Sequence, residues 1–254
     1  MKISAVIITY NEAKNITDCL ESCRGIADEL LVLDSFSSDE TLALAISAGA
    51  VVHQHAFDDF VQQKNRAIDL ATHDWILSLD ADERLSPELR AAIAARKAKG
   101  QPSADAYQFS RLSSYCGQWI RYGGWYPDRK TRLFHRQKAR WAGQKVHEYL
   151  RLTPEAQTEL LPGDLHHHTY DSIEQHITKA NHYSTLAAEA LHERGRSTHW
   201  GQIIFSPLFS FWRSYFWRQG WRDGFYGFVI AAVGSFGRLL RYLKLYRLSR
   251  KPNA

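Results

Sequence analysis

The chain has few of the residues that staple a small fold: three cysteines, seven prolines and one methionine among 254 residues. Three cysteines with no CxxC pair exclude a disulfide framework. Cys19 and Cys23 stand four apart on a helical pattern, Cys116 is distant, and all three are expected as buried thiols. The N-terminus, MKISAVIITYNE, gives too short an apolar run for a secretory signal, so a reducing, cytoplasmic setting is expected. Neither GxGxxG nor GxxxxGK[ST] occurs, which excludes a dinucleotide fingerprint and a P-loop. A bound nucleotide would then depend on carboxylates and a metal. The charge-free stretch Gly224 to Gly237 has 14 residues, fewer than the roughly 20 that span a bilayer.

What is present is an ordinary globular composition, 44% hydrophobic and 23% charged, at a length that buries a full core without staples. The net charge of +5 is unevenly spread. Residues 194–254 carry 11 Lys and Arg against the single acid Asp223, a tail of +10 on a body of −5. Two parts of the chain therefore face different partners.

Residues 3–9 (ISAVIIT) form a continuous β-branched run, as in a strand buried on both faces. Asn11 or Asn15 can cap the helix that follows, which places Ile16, Leu20 and Cys23 on one face and stops at Gly25. A second strand (LLVL, 30–33) leads to Ser37, Ser38 and Asp39 as caps for a helix over 40–48. A short strand at Val51–Val52, a helix over 62–72 and a strand over 75–79 follow. This alternation predicts an α/β protein with a doubly wound, mostly parallel sheet. Ligands of such sheets bind beyond the carboxyl ends of the strands, where Thr9, Asn11, Glu12, Asp34 and Asp80 to Glu83 stand. Acidic side chains converging there need a cation, and oxygen ligands of this kind suit Mg²⁺ or Mn²⁺.

The series VIITYNEAKNI (6–16), VLDSFSSDET (32–41) and QKNRAIDLATHDWILSLDADE (63–83) resembles the nucleotide-sugar half of family 2 glycosyltransferases with a GT-A fold. Further on, GGWYPDRKTRLFHR (123–136), WAGQKVHEYL (141–150) and LHHHTYDSIEQHITKANHYS (165–184) resemble the branch that builds the lipopolysaccharide inner core, described as β-1,4-glucosyltransferases. The resemblance implies that Thr9, Asn11 and Glu12 line the nucleotide pocket and that Asp34 accepts the uracil N–H. Lys64 stands where many relatives have Arg, keeping the charge near the diphosphate but losing the bidentate fork. Asp80 and Asp82 form a DxD signature, with Asp82 on the metal and Asp80 on the ribose or metal. Of three successive histidines only alternate ones share a strand face, and the resemblance implies His167, at the family position, as a ligand to the metal or the diphosphate. An inverting transfer also needs a base. The second half offers Asp128, Glu148, Asp164 and Asp171, and Glu148, in the VHE block, holds the family position. Trp125 and Asp128 are candidates for sugar contact, and Arg132 and Lys179 for phosphate. QKARW (137–141) spells the QxxRW pattern of processive synthases but precedes the expected base instead of following it.

Residues 200–237 hold four of the eight tryptophans together with many Phe and Tyr. From Phe236 to Tyr246 a helical wheel gathers Phe236, Leu239, Leu240, Leu243 and Tyr246 on one face and Arg238, Arg241 and Lys244 on another. This predicts a helical extension lying on an anionic membrane surface. No nucleic-acid motif accompanies the arginines. The expected division is a catalytic domain over 1–193, with a nucleotide-sugar half (1–90) and an acceptor half (91–193), and a tail over 194–254. The expected activity is transfer of glucose from UDP-glucose to a heptose of the lipopolysaccharide inner core. It would take place peripherally, at the cytoplasmic face of the inner membrane. A relative using another UDP-sugar and a polyprenyl-phosphate or protein acceptor would share every motif up to Glu83. A non-catalytic sugar-nucleotide-binding membrane protein would keep the pocket without needing Glu148.

Overall fold

A computed structural model describes residues 1–100, 102–143 and 148–250. The first part alternates strand and helix: β1 (Ile3–Thr9), α1 (Ile16–Cys23), β2 (Glu29–Asp34), α2 (Thr41–Ser47), β3 (Val51–Gln54), α3 (Phe60–Leu70) and β4 (Trp75–Asp80). Then come β5 (Glu83–Leu85), α4 (Pro87–Ala98), β6 (Ala106–Tyr115), β7 (Gln118–Trp119), β8 (Asp128–His135), β9 (Ala139–Ala142), β10 (Tyr149–Leu152) and β11 (Thr158–Tyr170). Three helices close the chain: α5 (Ile173–Glu193), α6 (Trp200–Trp212) and α7 (Gly224–Arg250). A π turn (Arg213–Trp217) and a 3₁₀ turn (Gly220–Asp223) lie between the last two.

The main sheet runs β3-β2-β1-β4-β8-β6-β11-β5, with β7 beside β6, while β9 and β10 form a separate ribbon. The expected doubly wound part is present: β3, β2, β1 and β4 pair in parallel. Beyond β4 the described ladders are antiparallel. The period of two in β1 explains the layering. Ile3, Ala5 and Ile7 pack with Ile16, Cys19, Leu20 and Cys23 on one face, while Val6 packs with Ala67 and Ile68 of α3 on the other. Burying a side chain of this size contributes roughly 1.5–3 kcal/mol, so a one-residue slip that inverted the pattern would cost most of the core.

Local chemistry shifts some boundaries. Asp59 accepts from the Gln62 N–H at 2.8 Å and caps α3, which starts two residues earlier than the sequence pattern indicates. Asn15 occupies the N-cap of α1 without capping it through its side chain, which donates instead to Glu12 at 2.7 Å. Asp39 lies one residue before the α2 cap position, held by Glu40, and accepts from the Thr41 backbone and hydroxyl. Gly163, at φ +94°, lets β11 pass the first turn of α4, because a Cβ there would lie 2.3 Å from the Leu89 nitrogen.

The chain forms two compact units: Met1–Arg111 with Asp128–His167, and Leu112–Pro127 with His168–Ala254. The second has its own core, in which Tyr115 and Ile120 meet Val229, Ile230 and Val233 of α7. Within it, α7 packs along α5 and α6. Cys19 and Cys23 are buried as expected. Cys116 is not; it is half-buried at a positive-φ turn. The basic side of Phe236–Tyr246 also departs from the helical wheel. The Lys244 ammonium is ringed by Asn181, Ser184 and Thr185 of α5 at 2.7–2.8 Å, and Arg238 reaches Ser206 of α6.

Candidate active site

The parallel strands of the first unit place their last residues side by side: Thr9 is in register with Asp34, and Ile8 with Asp80. The loops beyond are stitched together. Asn11, at φ +54°, donates its N–H to Ser37 and accepts from the Ser38 N–H at 2.8 Å, and the Glu12 N–H reaches Thr41. Asp34 is fully buried and accepts from the Ser37 N–H, the Ser37 hydroxyl and the Gln54 amide. Its carboxylate therefore holds its own loop, with one acceptor position on Oδ1 left over.

An unmet hydrogen-bonding capacity lies close by. The Thr9 hydroxyl and Gln63 Oε1 are buried and have no hydrogen-bond partner among the described residues. Both residues adjoin Ser35: its N–H donates to the Thr9 carbonyl at 2.9 Å, and Gln63 Nε2 donates to its hydroxyl at 3.0 Å. Buried polar atoms are ordinarily paired, so these two are candidates to pair with a ligand.

Behind them lies a buried network of charges. Lys64, on α3, is buried, with Nζ 2.9 Å from Asp80 Oδ1, 3.7 Å from Glu148 Oε1 and 4.3 Å from the centre of the Trp141 ring. Arg132, on β8, grips the fully buried Glu83 with a fork, Nε to Oε2 at 2.9 Å and Nη2 to Oε1 at 2.8 Å, and reaches Asp80 at 3.1 Å. Burial works against ionisation of Asp80, but Lys64 and Arg132 outweigh it and hold the carboxyl well below its usual range. Burial likewise disfavours the charged guanidinium of Arg132, yet Glu83 and Asp80 keep it protonated. Arg132, a candidate phosphate partner by charge and motif position, here clamps Glu83 and Asp80. Arg111 continues the network, 3.6 Å from Glu83 and 2.6 Å from Asp128, which also meets Lys130 at 3.1 Å.

The two expected metal ligands come together. β11 pairs with β5 so that His167 faces Glu83 in register, and His167 Nε2 lies 3.3 Å from Asp82 Oδ2. Among the described residues no group of three or more His, Cys, Asp or Glu side chains could hold a metal by itself. Two protein ligands do fit a hard divalent cation that takes its remaining oxygens from a diphosphate and water, as Mg²⁺ sites commonly do.

Other expectations resolve differently. Trp125 and Lys179 belong to the second unit: Trp125 packs on Tyr115 and Tyr170, and Lys179 donates to the Thr169 carbonyl beside the Tyr170 ring. His147, of the VHE block, lies outside the described residues. In QKARW, Arg140 pairs with Asp69 at the surface, whereas Trp141 is buried against Lys64 and Arg132. The sequence pattern did not point to the roles of Gln63, Arg111 and Trp141, and it set Glu83 at the strand-end edge without a role of its own. The signal for Glu83 was an acid directly after the DxD, at the start of β5.

The sequence model of the family described as Glycosyl transferase family 2 matches residues 4–150. The chain belongs to this family. An uncharacterized glycosyltransferase of Rickettsia felis is 35% identical over 96% of this chain and 89% of its own length. The lipopolysaccharide core biosynthesis glycosyltransferase LpsC of Rhizobium meliloti is 31% identical, covering 100% of this chain and 96% of its own. Among solved structures, a mannosyltransferase of Pyrobaculum calidifontis in complex with GDP-Man and Mn²⁺ is 15% identical, covers 75% of this chain and 64% of its own, and has a TM-score of 0.49. That likeness is too distant for a functional inference.

Proposed function

We propose that this glycosyltransferase moves glucose from UDP-glucose to a heptose of the lipopolysaccharide inner core, inverting the anomeric carbon in one displacement. The observation that carries the reading is the pairing of Asp82 with His167 beside the half-buried carboxylates of Asp80 and Glu148, which the buried Lys64 bridges. The similarity to LpsC along the full chain supports the acceptor class.

In this reading the Thr9 hydroxyl and Gln63 Oε1 pair with the nucleoside, while Asn11, Glu12 and Asp34 line the nucleotide pocket. Asp82 and His167 hold Mg²⁺ or Mn²⁺. When bound, such an ion offsets the negative charge that develops on a departing diphosphate. Asp80 is held ionised by Lys64 and Arg132 and faces the donor. Glu148 takes the proton of the acceptor hydroxyl as its oxygen bonds to the anomeric carbon and the bond to UDP breaks. Lys64 keeps Glu148 and Asp80 in register with each other. Asp128 is proposed to touch the acceptor, and Trp125 and Lys179 are proposed, separately, as sugar and phosphate contacts of the second unit.

Among the described residues no helix is long and apolar enough to cross a membrane. The reading places the enzyme peripherally on the cytoplasmic face of the inner membrane, drawn to anionic lipid by its basic tail, where a lipid-linked acceptor would be met.

The test is calorimetric binding of UDP-glucose, UDP-galactose and UDP-GlcNAc to the purified chain, with and without Mn²⁺ or Mg²⁺. Metal-dependent binding that favours UDP-glucose and is lost in Asp82→Ala is expected. Absence of binding to every UDP compound under every metal condition would overturn the proposal.

A further inference from the structure

Helix α6 carries no charged residue from Trp200 to Trp212, yet one side of it is open to solvent. Trp200, Ile204, Phe205, Leu208, Phe209 and Trp212 are each 47–68% exposed, at helical spacing, while Ile203 and Pro207 face inward. The ridge continues through the turn that follows: Trp217 is 73% exposed, Trp221 54% and Phe225 67%. A continuous apolar patch of this kind marks an interaction site.

The second unit also shows what borders the ridge. Three exposed arginines are carried on one loop-and-turn assembly. The Gly123 N–H donates to the Arg218 carbonyl at 2.9 Å, and Gly124 leaves room for that guanidinium, since a Cβ there would lie 2.3 Å from Nη1. Arg222 lies over the Tyr122 ring at 4.3 Å and touches Gln219, and Arg121 lies over the Tyr126 ring at 5.5 Å. The only acid of the tail, Asp223, is buried, and its two oxygens accept the N–H groups of Arg121 and Tyr122. It shapes the turn, and among the described residues no carboxylate is seen paired with these guanidinium groups.

We propose that Arg121, Arg218 and Arg222 form a phosphate-binding collar for anionic lipid headgroups, with the aromatic ridge of α6 and its following turn seated at the headgroup–acyl boundary. This rests on the peripheral-membrane reading above and locates the contact on residues 121 and 200–228 instead of the helix over 236–246. The occupant follows from the chemistry. Planar guanidinium forks match phosphate oxygens. Trp beside Arg is the composition of membrane interfaces. A second copy is disfavoured, because two surfaces from tails of +10 would repel.

The full chain is sedimented with phosphatidylcholine vesicles, with and without phosphatidylglycerol. The triple variant Arg121→Gln, Arg218→Gln, Arg222→Gln is expected to lose about 100-fold in affinity for the anionic vesicles, near fivefold per charge. A control that removes three exposed tail arginines elsewhere, Arg194→Gln, Arg247→Gln, Arg250→Gln, is expected to lose far less. Phe205→Ser with Phe209→Ser should weaken binding to both vesicle types. All variants are checked for an unchanged melting temperature. Equal losses in the two triple variants, or none in the first, would overturn the collar while leaving the membrane reading intact. A wild-type chain that sediments with neither vesicle overturns both.

Discussion

Replacing Arg132 with Met tests whether the charge network around Glu83 holds the first unit together. Glu83 is fully buried and its carboxylate takes two charge-assisted bonds from Arg132, at 2.9 and 2.8 Å. Each is worth roughly 1.5–3 kcal/mol, which agrees with the roughly 3–5 kcal/mol lost when one partner of a buried pair is removed. The Asp80 N–H still donates to Glu83 at 3.2 Å, and Arg111 lies 3.6 Å away, so the lower part of that range, about 3 kcal/mol, is expected. For a chain of this size the melting temperature should fall by roughly 10 °C. Urea unfolding followed by circular dichroism measures the loss directly. The double variant Arg132→Met, Glu83→Leu should recover much of it, because two apolar side chains replace a pair whose desolvation was costly. A single variant within about 1 kcal/mol of wild type, or a double variant showing no coupling, would refute the role assigned to the clamp.

Glu148→Gln should lower the rate of sugar transfer by roughly 10²–10⁴-fold while UDP-sugar affinity stays within a few-fold, since the amide cannot accept the proton but retains the shape. Equal transfer by the variant would place the base elsewhere, with Asp128, Asp164 and Asp171 next in line. His176, buried between Tyr115 and Tyr170, has its pKa pushed down to about 4 by burial and, to a lesser degree, by Lys179. It folds in its neutral form, so its contribution is present above about pH 6.5 and is lost as the pH falls towards 4. After discounting for solvent screening, roughly 1–2 kcal/mol should disappear over that window, and His176→Phe should flatten this part of the stability profile in denaturant titrations. An identical acid slope in the variant would contradict this assignment.

The first part of the chain was legible because its signals are local. β-branched runs, a cap residue and a following glycine specify each strand and helix from neighbours only a few residues away. Since strands in a parallel sheet end on one edge, Thr9, Asp34 and Asp80 could be placed together before any coordinates. Beyond β4 the sheet turns antiparallel through long strands with mixed patterns, and pairings such as His167 with Glu83, 84 residues apart, leave no local trace.

By itself the sequence determined the order of the α/β elements, the edge at which the carboxylates collect, and a basic, aromatic tail too interrupted to span a bilayer. Tertiary structure alone decided which charges face one another. Whether an arginine binds a ligand or clamps a buried acid depends on the strand opposite, so Arg132 fell to Glu83. The same holds for the second unit, where packing against α5 absorbed Lys244 and left Arg121, Arg218 and Arg222 open. A side chain's type sets what it can pair with, and only the folding of distant segments together fixes which partner it meets.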